Sequence, residues 1–185
     1  MEIIFGGSFN PPTKAHYEIA KYLLNKFPDS TLVLLPNGDR YPRKSLVLSS
    51  DRIQMLNIMA RLLGPRVTVS DFEVQSEKFR GTYYTLKNFK DPYFVIGLDS
   101  LSDLSMWIEY EKLVKENKFL VINRDDYHFD SLIENNALLK ALKNHFILLD
   151  DFPIIRTSST SFRKKKNFTL LIPEIKDYII EHKLY

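Results

Sequence analysis

The sequence predicts an α/β fold in which helices cover both faces of a doubly wound, mainly parallel sheet. Three observations lead there: six short β-rich runs are spread along the chain, most are apolar without alternation, and stretches with helical spacing separate them. A strand with one wet face alternates polar and apolar residues, whereas a continuous apolar run needs cover on both faces. Strands joined through helices pair in parallel with right-handed crossovers, and the ligand crevice is then expected outside their carboxyl ends.

The strand candidates are EIIF at 2–5, TLVLLP at 31–36, RVTVS at 66–70, YFVIG at 93–97, KFLVIN at 118–123 and HFILLD at 145–150. After the first, Ile19, Leu23 and Phe27 recur on one helical face; after the second, Ile53, Leu56, Ala60 and Leu63 do the same. A last helix is expected in PEIKDYIIEHKLY, behind the short basic run RKKK at 163–166. The rhythm is Rossmann-like. With 185 residues, 44% of them apolar, the chain suffices for one core, and no repeat or linker divides it, so a single domain over 1–185 is expected.

Composition narrows the chemistry. The chain has no cysteine, which removes disulfides, thiolate zinc sites and cysteine nucleophiles together and suits a reducing cytosol. The opening MEIIFGGSFN lacks the basic start and apolar core of a secretory signal, and no apolar run nears the length of about 18 residues that a membrane span needs. A soluble, cytoplasmic protein with no membrane partner is therefore expected. The net charge of +3, from 26 basic and 23 acidic residues, suits an anionic small molecule and is far from a nucleic-acid coat. The run Arg163 to Lys166 has no supporting basic-aromatic stripe, so no nucleic-acid partner is expected.

The junction FGGSFNPPTKAH, residues 5–16, leaves the first strand and enters the first helix. A glycine-rich turn at that point suggests phosphate binding, because helix N-terminal amides and the helix dipole attract anions. It is not a P-loop: neither Gly6 nor Gly7 has a glycine five residues on, and Pro11 and Pro12 carry no amide hydrogen. Side chains must contribute, and His16 is the first candidate; alone it would read as a helix-surface histidine. Thr13 and His16 are three apart and share a helical face aimed at the phosphate region, while Lys14 is assigned to solvent.

Three further stretches carry chemistry. In TSSTSFRKKK, Thr157, Ser158, Ser159 and Thr160 supply hydroxyls and a helix cap ahead of Arg163, a pattern that can surround a polyphosphate or simply start a solvated basic helix. In VIGLDSL, a buried strand ends in Gly97 and Asp99; the acid can accept from ribose hydroxyls or cap the next helix. In LSMWIEYEKL, Trp107 and Tyr110 fall three apart on one helical face, a spacing usual for core and suited to a stacking platform only beside GLDS.

Taken together these stretches resemble a known superfamily. GGSFNPPTKAH is similar to the G-[ST]-F-[ND]-P-x-[HT]-x-x-H motif of nucleotidyltransferases that share the (H/T)-x-G-H element, and TSSTSFR to their I-S-S-T-x-[IL]-R motif. YPRK at 41–44, DRIQML at 51–56, VSDFEV at 69–74, GTYYTL at 81–86, GLDSLSDLSMWIEYEKL at 97–113 and the C-terminal LIPEIKDYIIEHKLY resemble the bacterial nicotinate-nucleotide adenylyltransferase family across essentially the whole chain. Thr13 stands for the first histidine, Ala15 for a common glycine, Arg43 for a histidine and Tyr110 for a second tryptophan.

The resemblance implies transfer of AMP from ATP to nicotinate mononucleotide, giving nicotinate adenine dinucleotide and pyrophosphate in NAD biosynthesis. The alternatives are a nicotinamide-mononucleotide or phosphopantetheine adenylyltransferase, or an inactive nucleotide-binding relative. It implies His16, Lys44 and Arg163 as catalytic residues; Gly7, Ser8, Phe9, Thr13, His16, Gly97, Asp99, Ser158, Ser159, Thr160 and Arg163 around ATP; and Thr82, Trp107, Tyr110 and Lys44 around the mononucleotide. Mg²⁺ is expected to bridge ATP phosphates with few protein ligands, and a homo-oligomer is compatible with the family. The attacking group is a phosphate that is already an anion, so no general base or covalent intermediate is needed, and catalysis is positioning plus electrostatics.

Overall fold

The computed structural model describes residues 1–41, 46–123, 128–153 and 157–185. Along the chain run β1 (Glu2–Gly7), α1 (Lys14–Lys26), β2 (Thr31–Pro36), α2 (Ser49–Leu63), β3 (Val67–Val69), α3 (Phe72–Gln75), α4 (Thr82–Leu86), β4 (Tyr93–Gly97) and α5 (Leu98–Ser102). They are followed by α6 (Tyr110–Glu116), β5 (Lys118–Ile122), α7 (Phe129–Glu134), α8 (Ala137–Ala141), β6 (Phe146–Leu149), α9 (Ser159–Lys165) and α10 (Pro173–Glu181). The strands form one sheet in the order β3-β2-β1-β4-β5-β6, and every registered ladder is parallel. The chain builds outward from β1 to β3 and then starts again on β1's other side with β4, which is the doubly wound Rossmann-like order.

The described residues gather into two compact units, Met1–Phe5 with Arg80–Ile155 and Gly6–Phe79 with Arg156–Tyr185. In the first, β1 pairs with β4, Ile3 opposite Tyr93, and β5 lies between β4 and β6. The run Phe119 to Ile122 is wholly buried, and the Phe119 ring stacks on Phe146 at 4.8 Å and 11°. That explains why KFLVIN reads as a strand with no polar alternation.

In the second unit, Leu32 pairs with Val67, and Leu32 to Leu35 are buried. Helix α1 buries Ala15, Ile19, Ala20, Leu23 and Leu24, places Lys26 in its last turn where it complements the helix dipole, and ends at Phe27, its C-cap. Helix α2 departs from the expected face: its buried stripe is Arg52, Met55, Leu56, Met59 and Ala60, with Ile53 and Leu63 only half-buried. The stripe is turned because Arg52 faces inward, where backbone carbonyls receive it. No helix among the described residues is long and apolar enough to cross a membrane.

Candidate active site

The second unit carries the candidate phosphate-binding residues. Strand β1 ends at Gly7, and the loop after it holds Phe9 at φ +44°, in the left-handed region, and a cis Asn10–Pro11 peptide. A bulky residue in that region costs about 1–2 kcal/mol. The Phe9 ring, 1% exposed, offsets this with a burial worth roughly 1.5–3 kcal/mol. A Cβ added at Gly7 would meet that same ring at 3.4 Å. Because the Phe9 side chain is buried, any contact it makes with ATP comes from its backbone.

Thr13 is the N-cap of α1 and is 0% exposed, so its side chain is buried within the protein. Its backbone N–H donates to His16 Nδ1 at 2.9 Å, and its hydroxyl lies 2.8 Å from the same nitrogen. The pair closes a capping box with His16 in the N3 position usually held by Glu or Gln. An amide N–H can only donate, so Nδ1 must accept, and the ring proton of neutral His16 sits on Nε2. The helix start thus fixes both the orientation and the tautomer of the histidine, whose ring packs 5.1 Å from Phe9. Lys14 is exposed.

The loop is stitched to the 157–163 stretch. Arg163 Nη1 donates to the Asn10 carbonyl at 2.6 Å and Nη2 to Thr160 Oγ1 at 3.2 Å, while Ser159 Oγ donates to the Pro11 carbonyl at 2.8 Å. Ser158 is the N-cap of α9, its Oγ accepting the Ser161 N–H at 3.1 Å. The hydroxyls of this motif are therefore largely engaged within the protein, and Thr157 Oγ1 is buried with no partner among the described residues. Lys44 lies outside the described residues.

Arg52, 0% exposed, ties the same region together and was not singled out by sequence reasoning. It donates to the carbonyls of Ser8 (3.1 Å), Asn37 (2.8 Å) and Val47 (2.9 Å) and to Asp39 Oδ1 (2.7 Å). Ser8 Oγ in turn donates to Asn37 Oδ1 at 3.2 Å. Burial opposes ionisation of Asp39, but the Ser49 hydroxyl and the Arg52 guanidinium outweigh it and hold the carboxyl below its ordinary value. The available signal was spacing: Arg52 sits three before Met55 and four before Leu56, on the buried face.

The first unit carries the residues expected around ribose and acceptor. Gly97 ends β4 and is itself the N-cap of α5, so Asp99, half-buried in the first turn, is not the cap. Thr82 opens α4 behind Gly81, whose φ of +90° excludes most side chains and where a Cβ would come within 2.8 Å of Ile108 Cβ. Trp107 and Tyr110 do not share a helical face. Trp107 is extended (φ −80°, ψ 149°) and α6 begins only at Tyr110, because Glu109 takes the left-handed conformation at φ +55°. Tyr84 and Lys112 hold Glu109 there, at 3.0 and 2.9 Å. The Trp107 ring meets Phe94 edge to face at 6.3 Å beside Met106, which is 83% exposed, and the Tyr110 hydroxyl donates to Asn136 Oδ1 at 2.9 Å. Among the described residues no three His, Asp or Glu side chains group so as to hold a metal ion.

Two motifs joined at a strand-to-helix turn, on a doubly wound parallel sheet, define a nucleotidyl-transferring class, and the chain belongs to the family described as cytidylyltransferase-like, which matches residues 4–165. Within it the chain belongs to the nicotinate-nucleotide adenylyltransferases. It is 35% identical to a protein of Acholeplasma laidlawii named "Probable nicotinate-nucleotide adenylyltransferase", over 100% of this chain and 97% of that one. A protein of the same name from Clostridium acetobutylicum is 33% identical over 98% and 97% of the two chains. The solved "Plasmodium falciparum nicotinic acid mononucleotide adenylyltransferase complexed with NaAD" superposes with a TM-score of 0.79 at 25% identity, covering 100% of this chain and 96% of that one.

Proposed function

We propose that residues 1–185 act as one nucleotidyltransferase domain that transfers the adenylyl group of ATP to nicotinate mononucleotide, releasing pyrophosphate and forming nicotinate adenine dinucleotide. The observation that carries this reading is the stitching of the Asn10–Pro11 carbonyls to Arg163 and Ser159, which joins the two motifs of the family around the helix start that holds His16. A phosphate oxygen of the mononucleotide attacks the α-phosphorus of ATP; a P–O bond forms there as the bond to the β-phosphate breaks, and the electron pair leaves with pyrophosphate. Nothing has to be deprotonated, so the protein's share is alignment and charge stabilisation.

His16 supplies Nε2–H to the phosphate oxygens, where the donor gains strength as negative charge moves toward the leaving group. Arg163 has five N–H donors and spends two on Asn10 and Thr160, which leaves donors for the polyphosphate. With the hydroxyls of Ser158 and Ser159 engaged, their share in binding ATP falls to backbone amides at the start of α9, and those of Gly7, Ser8 and Phe9 to the loop backbone. Lys44, outside the described residues, is assigned a catalytic cation's role on the family motif alone. Mg²⁺ enters on the ATP phosphates as part of the substrate, and the site of action is the cytoplasm.

On the acceptor side, Trp107 stacks on the pyridine ring with Thr82 and Tyr110 beside it, and Gly97 and Asp99 serve the ribose. The test is pyrophosphate release with MgATP and each of nicotinate mononucleotide, nicotinamide mononucleotide and phosphopantetheine. A preference for the nicotinate acceptor supports the reading. Equal turnover or preference for either alternative refutes the acceptor assignment, and no turnover with any refutes the transferase reading.

A further inference from the structure

We infer that Tyr185 is a positioning residue for adenylyl transfer, its hydroxyl orienting the Asn10 side chain and with it the loop that sets His16. The inference rests on the proposed role of residues 5–16 and 158–163. Asn10 is 2% exposed and is held on both of its carbonyl groups. Its backbone oxygen takes Arg163 Nη1 at 2.6 Å, and its Oδ1 takes the Tyr185 hydroxyl at 2.7 Å and the Val47 N–H at 3.2 Å.

An asparagine amide can turn over, exchanging acceptor for donor, and only its partners decide which way it lies. Tyr185 and Val47 both donate here, so turning the amide would set its NH₂ against two donors. The Tyr185 bond is the shorter of the two, so its hydroxyl is the nearer of the donors that favour this orientation. The phenol is itself fixed: its ring meets the buried Phe162 of α9 edge to face at 5.6 Å and 90°. Burial keeps the hydroxyl protonated well above the ordinary tyrosine range, so it stays a donor.

The two residues after Asn10 are prolines, and the next is Thr13, whose N–H holds His16 Nδ1. The route from Tyr185 to the His16 ring thus passes through four consecutive residues fixed by the proline rings and by Arg163 and Ser159. A displacement of about 1 Å at a catalytic group can cost roughly a hundredfold in rate, so a partial loosening of this route should be felt in turnover before it is felt in folding.

The experiment compares the full chain with Tyr185→Phe, which keeps the ring on Phe162 and removes only the hydroxyl. Tyr178→Phe is the control, since it deletes a bond of similar length, 2.9 Å to Asp51, elsewhere in the same unit. With MgATP and nicotinate mononucleotide, Tyr185→Phe should lower kcat roughly tenfold with the acceptor KM unchanged, and Tyr178→Phe should leave kcat alone. Asn10→Ala should be slower still, and adding Tyr185→Phe to it should cost nothing more. Equal kcat in Tyr185→Phe and wild type, an equal fall in both phenylalanine variants, or multiplying losses in the double variant would each overturn the inference. An inactive wild type would overturn the transferase reading and the inference with it, whereas an active wild type with an unaffected Tyr185→Phe overturns the inference alone.

Discussion

Replacing His16 separates the two jobs its ring is given. Nδ1 accepts from the Thr13 amide and supports the start of α1; in the proposed reaction Nε2 carries the proton offered to phosphate. Asparagine has a polar atom where Nδ1 stands and none where Nε2 stands. His16→Asn should therefore keep the cap and lose the donor, which as an oxyanion-type contact is worth about 100- to 1,000-fold in kcat. Its Tm should stay near wild type. His16→Ala should lose both, adding about 1 kcal/mol of cap energy, or roughly 2–4 °C in Tm for a chain of this size. His16→Gln, the residue type usual at N3, should keep the cap through its side-chain oxygen, with turnover no lower than that of His16→Asn. Steady-state kinetics with a thermal melt on each variant decides it, and ATP affinity should change far less than kcat in all three. A His16→Asn variant within about threefold of wild-type kcat would refute the donor role, on the same differential-binding reasoning.

Arg163→Ala should raise the ATP KM and, because it also frees the Asn10 carbonyl, lower kcat as well, whereas Lys164→Ala should change neither; the reverse ranking would show that the basic run has been read in the wrong register. Trp107→Ala should weaken nicotinate and nicotinamide mononucleotides alike, while Thr82→Val should erode their kcat/KM ratio, since a hydrogen bond discriminates where stacking does not. Equal effects on the ratio would refute that division. Arg52→Lys cannot reach three carbonyls and Asp39 at once, so it should cost about 3 kcal/mol or more, a Tm fall of roughly 6–12 °C, measured by chemical and thermal denaturation. Tyr178 is pushed up to about 12, first by burial and then by its bond to Asp51. An acid raised in the folded state loses its stabilising share as pH climbs past the unfolded value near 10, so Tyr178→Phe should flatten the fall in stability between about pH 10 and 12 and leave pH 8 behaviour parallel.

Much of the sheet was legible in the sequence because a strand buried on both faces announces itself locally: TLVLLP and YFVIG coincide with β2 and β4 to the residue. The loop and the 157–163 motif were legible as motifs, yet their partners were not. The spacing that aims Thr13 and His16 at one region also locks the histidine, a contact that the motif does not announce. Trp107 and Tyr110 were misread as helical neighbours because periodicity carries no mark for a single left-handed residue, here Glu109. Arg52, Asn10 and Tyr185 escaped notice for one physical reason: each is explained by bonds to groups distant in sequence, and a backbone carbonyl is offered by every residue, so no side-chain pattern reveals which ones will be used.

The stitching of the loop to residues 159, 163 and 185 also sets a schedule. Asn10 leaves the ribosome early, but the groups that hold it follow 153 and 175 positions later. At about 5–20 residues per second, the loop waits roughly 9–35 s for Tyr185 to be made. Over that interval the loop lacks its Tyr185 partner, while residues 80–155 of the other unit have already been made.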